Sequence, residues 1–169
     1  MTVATLETER LLMRALRIDD AEPLFPMYES PEFGRYLSMV PTTVEAMRET
    51  VQARLAEPKP PGMGNWVWLD RATGGYVGRG GIWPSIVIDR QPIEMGWFLA
   101  VDRWGRGLAT EAVRAQLDHT FHDLEVPAVW ATIHIDNGPS LRLAERMGFV
   151  LKGGTTLASG PHHTLVLER

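Results

Sequence analysis

The sequence predicts one α/β domain carrying a mixed, mostly antiparallel sheet of about seven strands and about four helices. Three observations lead there. Apolar runs of strand length and segments of helical spacing follow in the order strand, two helices, three strands, helix, strand, helix, two strands. Across residues 93–135 a strand, a glycine turn, a helix and another strand succeed one another, which is one right-handed crossover within the sheet. Finally, 169 residues with 44% hydrophobic and 22% charged side chains suit one well-filled core better than two.

Taken in order, Leu11-Leu12-Met13-Arg14-Ala15-Leu16 reads as the first strand. Asp19 or Asp20 is placed to cap a short helix through Phe25 and Met27, where Pro23 is tolerated only in the first turn. Thr42 or Thr43 with Glu45 opens a second helix over 44–56, stopped by Pro58-Lys59-Pro60-Pro61-Gly62. Strands over 65–69 and 76–83 flank the turn Arg71–Gly75 as a hairpin, and a third covers 92–101. Beyond the glycine turn, Ala109, Val113, Leu117, Phe121 and Leu124 recur near helical spacing and mark one buried face. Residues 126–135 are apolar on both faces, as a central strand is. Residues 139–147 form a helix started at Asn137 or Gly138 and ended at Gly148. Strands over 149–152 and 163–167 close the chain as a hairpin.

Composition narrows the function classes. A net charge of −4 implies no general attraction to nucleic acid or to a membrane surface. The absence of cysteine excludes disulfides, thiolate metal sites and an acyl-cysteine intermediate. The start Met1–Glu7 has neither a basic region nor an apolar stretch, and no apolar run nears the roughly 20 residues of a membrane helix. The expectation is a cytoplasmic protein.

The most informative stretch is Arg103-Trp104-Gly105-Arg106-Gly107-Leu108-Ala109-Thr110-Glu111-Ala112. Two glycines at a strand-to-helix turn place free amides and the positive end of a helix dipole together, which suits phosphate. A nucleoside-triphosphate loop needs Lys-Ser or Lys-Thr after its last glycine, and Leu108-Ala109 stand there instead. A dinucleotide fingerprint would end at Thr110 and would open the fold rather than follow three or four strands.

Trp104-Gly105-Arg106-Gly107-Leu108-Ala109 resembles the cofactor signature of the GNAT superfamily of acyl-CoA-dependent N-acyltransferases, with Trp104 where the pattern has Gln or Arg. Asn137, Ser140 and the pair Gly148-Phe149 resemble its second signature. Thr8-Glu9-Arg10 through Arg14, Asp19-Asp20-Ala21 and Ala109-Thr110-Glu111-Ala112 resemble the branch of ribosomal-protein N-terminal acetyltransferases. Together these cover nearly the whole chain.

The resemblance implies a fold whose two central strands splay apart, with acetyl-CoA in the gap and an amine acceptor attacking directly in a ternary complex. It implies that the backbone of Arg106, Gly107, Leu108, Ala109 and Thr110 holds pyrophosphate, with Trp104 and Gly105 completing the turn. Trp97, Phe98 and Leu99 would pair with the pantetheine arm, and Asn137 would hydrogen-bond its amide. Arg103 and Arg106 are placed to add charge near phosphate or to stay solvated. Glu94, the carboxylate in an otherwise apolar strand, is the candidate base, direct or through a water, although an exposed strand-face or ion-paired Glu reads equally from sequence. Many family members place a Tyr acid four residues after Ser140. That position is Ala144, so Ser140 is the remaining hydroxyl donor, a role compatible with helix capping.

None of His119, His122, His134, His162 and His163 forms a metal pattern, so no metal is expected. Most tryptophans read as core, with Trp83 and Trp97 as alternative lining for an acceptor cleft. The resemblance implies that 28–43 and 155–163 choose the acceptor; Pro31–Tyr36 supplies both charge signs and aromatic surface, which leaves its identity open, and edge strands leave a homodimer open too. The alternatives to acetyl transfer are a non-catalytic acyl-CoA-binding module and transfer of a longer acyl group.

Overall fold

A computed structural model describes residues 3–169, so the first two residues of the segment read for a leader lie outside it. Its sheet has eight strands, β1 (Leu6–Glu7), β2 (Leu11–Ala15), β3 (Gly64–Asp70), β4 (Tyr76–Pro84), β5 (Ile93–Leu99), β6 (Ala128–His134), β7 (Val150–Leu157) and β8 (Gly160–Glu168). They lie in the order β1-β2-β3-β4-β5-β6-β8-β7. All neighbours are antiparallel except β5 and β6, the parallel pair joined by the crossover.

Helices cover both faces. α1 (Ala21–Tyr28), α2 (Pro31–Gly34) and α3 (Val44–Ala56) lie on one side, α4 (Leu108–Asp118) and α5 (Gly138–Met147) on the other. The predicted helix over 44–56 is α3, with the Thr43 hydroxyl accepting from the Ala46 amide at 3.1 Å. α2, capped by Ser30 with Pro31 as its first residue, is a single turn where the sequence predicts a loop. The closing strands run longer than expected, because β8 inserts between β6 and β7 and gains two partners.

The alternation of β3 explains the layers. Trp66 and Trp68 point to the α4 side and pack with Val113 and Leu117, while Val67 points to the α1–α3 side with Leu24, Met47 and Val51. β4 is glycine-rich where Trp68 crosses it. A Cβ on Gly80 would lie 2.5 Å from the Trp68 ring, so only glycine lets the indole rest on the strand. The start of α1 is tied down by Asp20, which accepts from Arg14 at 2.6 and 2.8 Å and from the Arg17 amide at 2.7 Å. Tyr76 on β4 donates to the same carboxylate at 2.5 Å. Burial raises the pKa of Asp20, but these bonds, led by Arg14, outweigh it and hold it below the ordinary carboxylate value.

Candidate active site

The central gap follows from the register. β5 and β6 share a single bridge, Glu94 with Trp130, and diverge beyond it. The β6-facing backbone of 95–99 is therefore left without a strand partner, and a cleft of about 690 Å³ opens between the strands.

One end of the cleft is the glycine turn. Gly105 and Gly107 line it with φ of 73° and 75°, and Gly107 is the N-cap of α4. The amides of Leu108, Ala109 and Thr110 precede the first intrahelical bond, from the Glu111 amide to the Gly107 carbonyl at 3.1 Å, and so face the cleft without helical partners. The turn is braced from behind. Glu111 accepts from Arg10 Nε at 2.6 Å and Thr8 Oγ1 at 2.5 Å, and Arg10 donates onward to the Arg106 carbonyl at 2.9 Å. Burial works against the Glu111 charge, yet Thr8 and Arg10 hold its pKa below the ordinary value.

Arg103 and Arg106 do not line the cleft. Arg103 turns to Asp102 at 3.3 Å and Asp70 at 3.8 Å, so its charge is already partnered. At the turn's end of the cleft the cationic lining comes instead from Arg142 and Arg146, one helical turn apart on α5, with Arg146 Nη2 3.5 Å from Thr110 Oγ1. The sequence reading missed this pair. Its signal was there as an i,i+4 arginine repeat beside Ser140, but only the packing of α5 on α4 aims it at the turn.

Trp97, Phe98 and Leu99 all line the cleft. Trp97 lies on the α5 side against Phe149, ring centroids 6.1 Å apart. Phe98 faces the other way, its ring 3.8 Å above the buried Arg79 guanidinium, which in turn donates to Tyr28 at 2.5 Å. Trp104 donates its indole N–H to the Leu99 carbonyl at 2.9 Å, closing the end of β5 onto the turn.

Asn137 is the N-cap of α5, its Oδ1 accepting from the Ser140 amide at 3.3 Å, while its amide nitrogen donates to no partner among the described residues. The capping role considered for Ser140 thus falls to Asn137, and Ser140 lines the cleft. Glu94 lies elsewhere. It is buried, 8% exposed, at the closed apex between cross-strand partners Trp83 and Trp130, and neither it nor Trp83 is part of the lining.

The mouth opposite the turn is formed by Glu32, Phe33, Arg35 and Tyr36 around α2, and by His134 and His162 on β6 and β8. Tyr36 stacks on His134 at 5.1 Å and donates to the Asp136 carbonyl at 3.0 Å, while Ser38 and Ser159 join their hydroxyls across it at 3.0 Å. Thr132 Oγ1, buried in the lining between the two ends, has no hydrogen-bond partner among the described residues.

Among the described residues no group of three or more His, Asp or Glu side chains could hold a metal ion. No helix there is long and apolar enough to cross a membrane.

Residues 10–150 match the family model described as an acetyltransferase (GNAT) domain. The chain is 31% identical to the uncharacterized protein YkkB of Bacillus subtilis (strain 168), over 85% of this chain and 83% of that one. It is 29% identical to an uncharacterized N-acetyltransferase, p20, of Bacillus licheniformis, over 88% and 84%. The crystal structure of an acetyltransferase from Agrobacterium tumefaciens str. C58 superposes with a TM-score of 0.82 at 25% identity, covering 100% of this chain and 96% of that one. With the splayed strands and glycine turn in place, the chain belongs to the GNAT family of acetyltransferases.

Proposed function

We propose that the protein transfers an acetyl group from acetyl-CoA to a primary amine by direct attack in a ternary complex. The observation that carries this reading is one continuous cleft with a phosphate cradle at one end and a polar, aromatic mouth at the other. The residues suit the cofactor. Free helix amides and the Arg142–Arg146 pair match its phosphates, while Thr132 Oγ1 and the open edge of 95–99 match a pantetheine amide chain. Acetyl-CoA supplies an acetyl group already activated as a thioester.

The chain's own residues do the rest. Gly107 and the amides of 108–110 bind, Trp97 and Phe98 orient the arm, and Asn137 holds its amide. Ser140 donates a proton at its Oγ to the departing sulfur, the role left vacant by Ala144. Glu94, buried at the apex, bears on the amine only through an intervening water. The mouth carries both Glu32 and Arg35, so its charge does not choose among amines. The resemblance to the ribosomal-protein branch favours a protein N-terminus within the class of primary amines.

Glu94 outside the cleft and Ala144 in place of the Tyr acid favour one second reading, an acyl-CoA-binding module without turnover. Calorimetric titration with acetyl-CoA, with NAD as control, followed by thiol release over peptide N-termini, polyamines and amino acids separates the two. Binding with release on an amine supports transfer; binding without release supports the module. A folded sample that ignores acetyl-CoA would sink both.

A further inference from the structure

We infer that His162 is the general base that deprotonates the acceptor amine, an assignment that rests on the transfer reading above. His162 is buried, 5% exposed, at the start of β8, and is among the residues that line the cleft at its mouth. Its Nδ1 lies 2.8 Å from the Gly160 carbonyl. A carbonyl oxygen only accepts, so Nδ1 carries the hydrogen, and in the neutral ring the lone pair is on Nε2. With Nε2 unprotonated, the Ser159 hydroxyl faces it as a donor at a long 3.4 Å, which leaves the lone pair open to a stronger donor.

Its neighbour His134 cannot do the same. His134 Nδ1 accepts from the Asp136 amide at 3.1 Å and Nε2 faces the Ser159 carbonyl at 3.1 Å, so both nitrogens are engaged. Held between Tyr36 and His162, with ring centroids 5.1 Å from each, His134 serves as the wall that sets the angle of the His162 ring. The other charged or titratable groups at this mouth are Tyr36, Asp136, and Glu32 and Arg35 of α2.

An amine arrives as an ammonium ion and must shed a proton before its nitrogen has a lone pair. His162 Nε2 takes that proton, directly or through one water. The nitrogen then bonds to the acetyl carbon as the carbon–sulfur bond breaks. Its second departing proton reaches the sulfur through Ser140, so amide and thiol form with one proton left on His162. Ser159, linked to Ser38 at the surface, gives that proton a way out.

The test separates a base from a structural histidine. His162→Asn keeps a side-chain N–H near the Nδ1 position, and so the tie to Gly160, but removes Nε2. On the fastest amine of the panel that is a peptide N-terminus, kcat at pH 7 should fall about 100-fold or more with the KM for acetyl-CoA unchanged. The deficit should shrink between pH 7 and 9, as the α-amino group, with a pKa of about 8, loses its proton in solution. A purely structural role would give neither the kcat-only loss nor its recovery with pH. Wild-type turnover by His162→Asn would overturn the assignment and leave the transfer reading standing; a wild-type protein that acetylates no amine would overturn both. Without any acceptor, long-range proton–nitrogen spectra of the histidine rings should show His162 protonated at Nδ1 alone at high pH, and a hydrogen on Nε2 instead would also overturn it.

Discussion

Replacing Gly107 by alanine isolates what the turn does for the cofactor. Its φ of 75° is left-handed, which costs a non-glycine residue about 1–2 kcal/mol. The added Cβ would meet nothing closer than Arg10 Nη2 at 3.6 Å, an ordinary contact, so backbone strain alone sets the stability loss. For a chain of this size that is a drop in Tm of roughly 2–8 °C. Gly74, in the β3–β4 hairpin and outside the cleft, has a φ of 73° with nothing within 4 Å of its Cβ, which makes Gly74→Ala the matched control. Both variants should melt lower by similar amounts. Only Gly107→Ala should weaken acetyl-CoA, by about 10–100-fold, because its methyl displaces phosphate from one amide whose charged hydrogen bond is worth about 1.5–3 kcal/mol. Melting curves and calorimetric titration at equal salt provide the comparison. If Gly107→Ala binds acetyl-CoA as wild type does, the amides of 108–110 are not the phosphate site.

Four further outcomes follow from the same geometry. Arg142→Ala and Arg146→Ala should each weaken acetyl-CoA about tenfold, an effect that fades at high salt, yet leave an acetylated pantetheine lacking the nucleotide unaffected; this is read by titration with both ligands. Gly80→Ala, whose Cβ would fall 2.7 Å from Gln116 Oε1 and 2.9 Å from the Gly96 carbonyl, should cost about 3 kcal/mol in denaturant unfolding, since one neighbour is backbone and cannot move aside. Asp20→Asn should cost roughly 2–3 kcal/mol at pH 7, because it breaks the buried end of the Arg14 pair. The folded pKa of Asp20 is depressed, so its stabilisation is present above the unfolded value of about 4 and is lost as pH falls through the folded one; the gap between wild type and Asp20→Asn should close below about pH 4 in acid unfolding.

Much of the framework was legible because it depends on local signals. α3 begins at Val44 because Thr43 caps it, and α5 ends at Gly148 because that residue takes a φ of 93°. The glycine turn, Trp97 to Leu99, Asn137 and Ser140 all reached the cleft because the motifs lie at the ends of elements whose order alone brings them together. α2 escaped because a single turn of four residues has no periodicity to read. The Arg142–Arg146 pair escaped because charged residues four apart look the same on a solvated helix as on one facing a phosphate.

Glu94 and His162 mark the boundary. By itself the sequence determined the element order, the glycine turn and the lack of a cysteine nucleophile, all of which follow from residue type and spacing along the chain. Whether Glu94 faces the cleft or its apex depends on where β5 and β6 part, and whether His162 meets an amine depends on β8 lying beside β6 rather than at the sheet edge. Strand divergence and strand order arise from contacts between residues far apart in the chain. No local pattern encodes them, so only the tertiary structure could bring His162 to the cleft and leave Glu94 outside it.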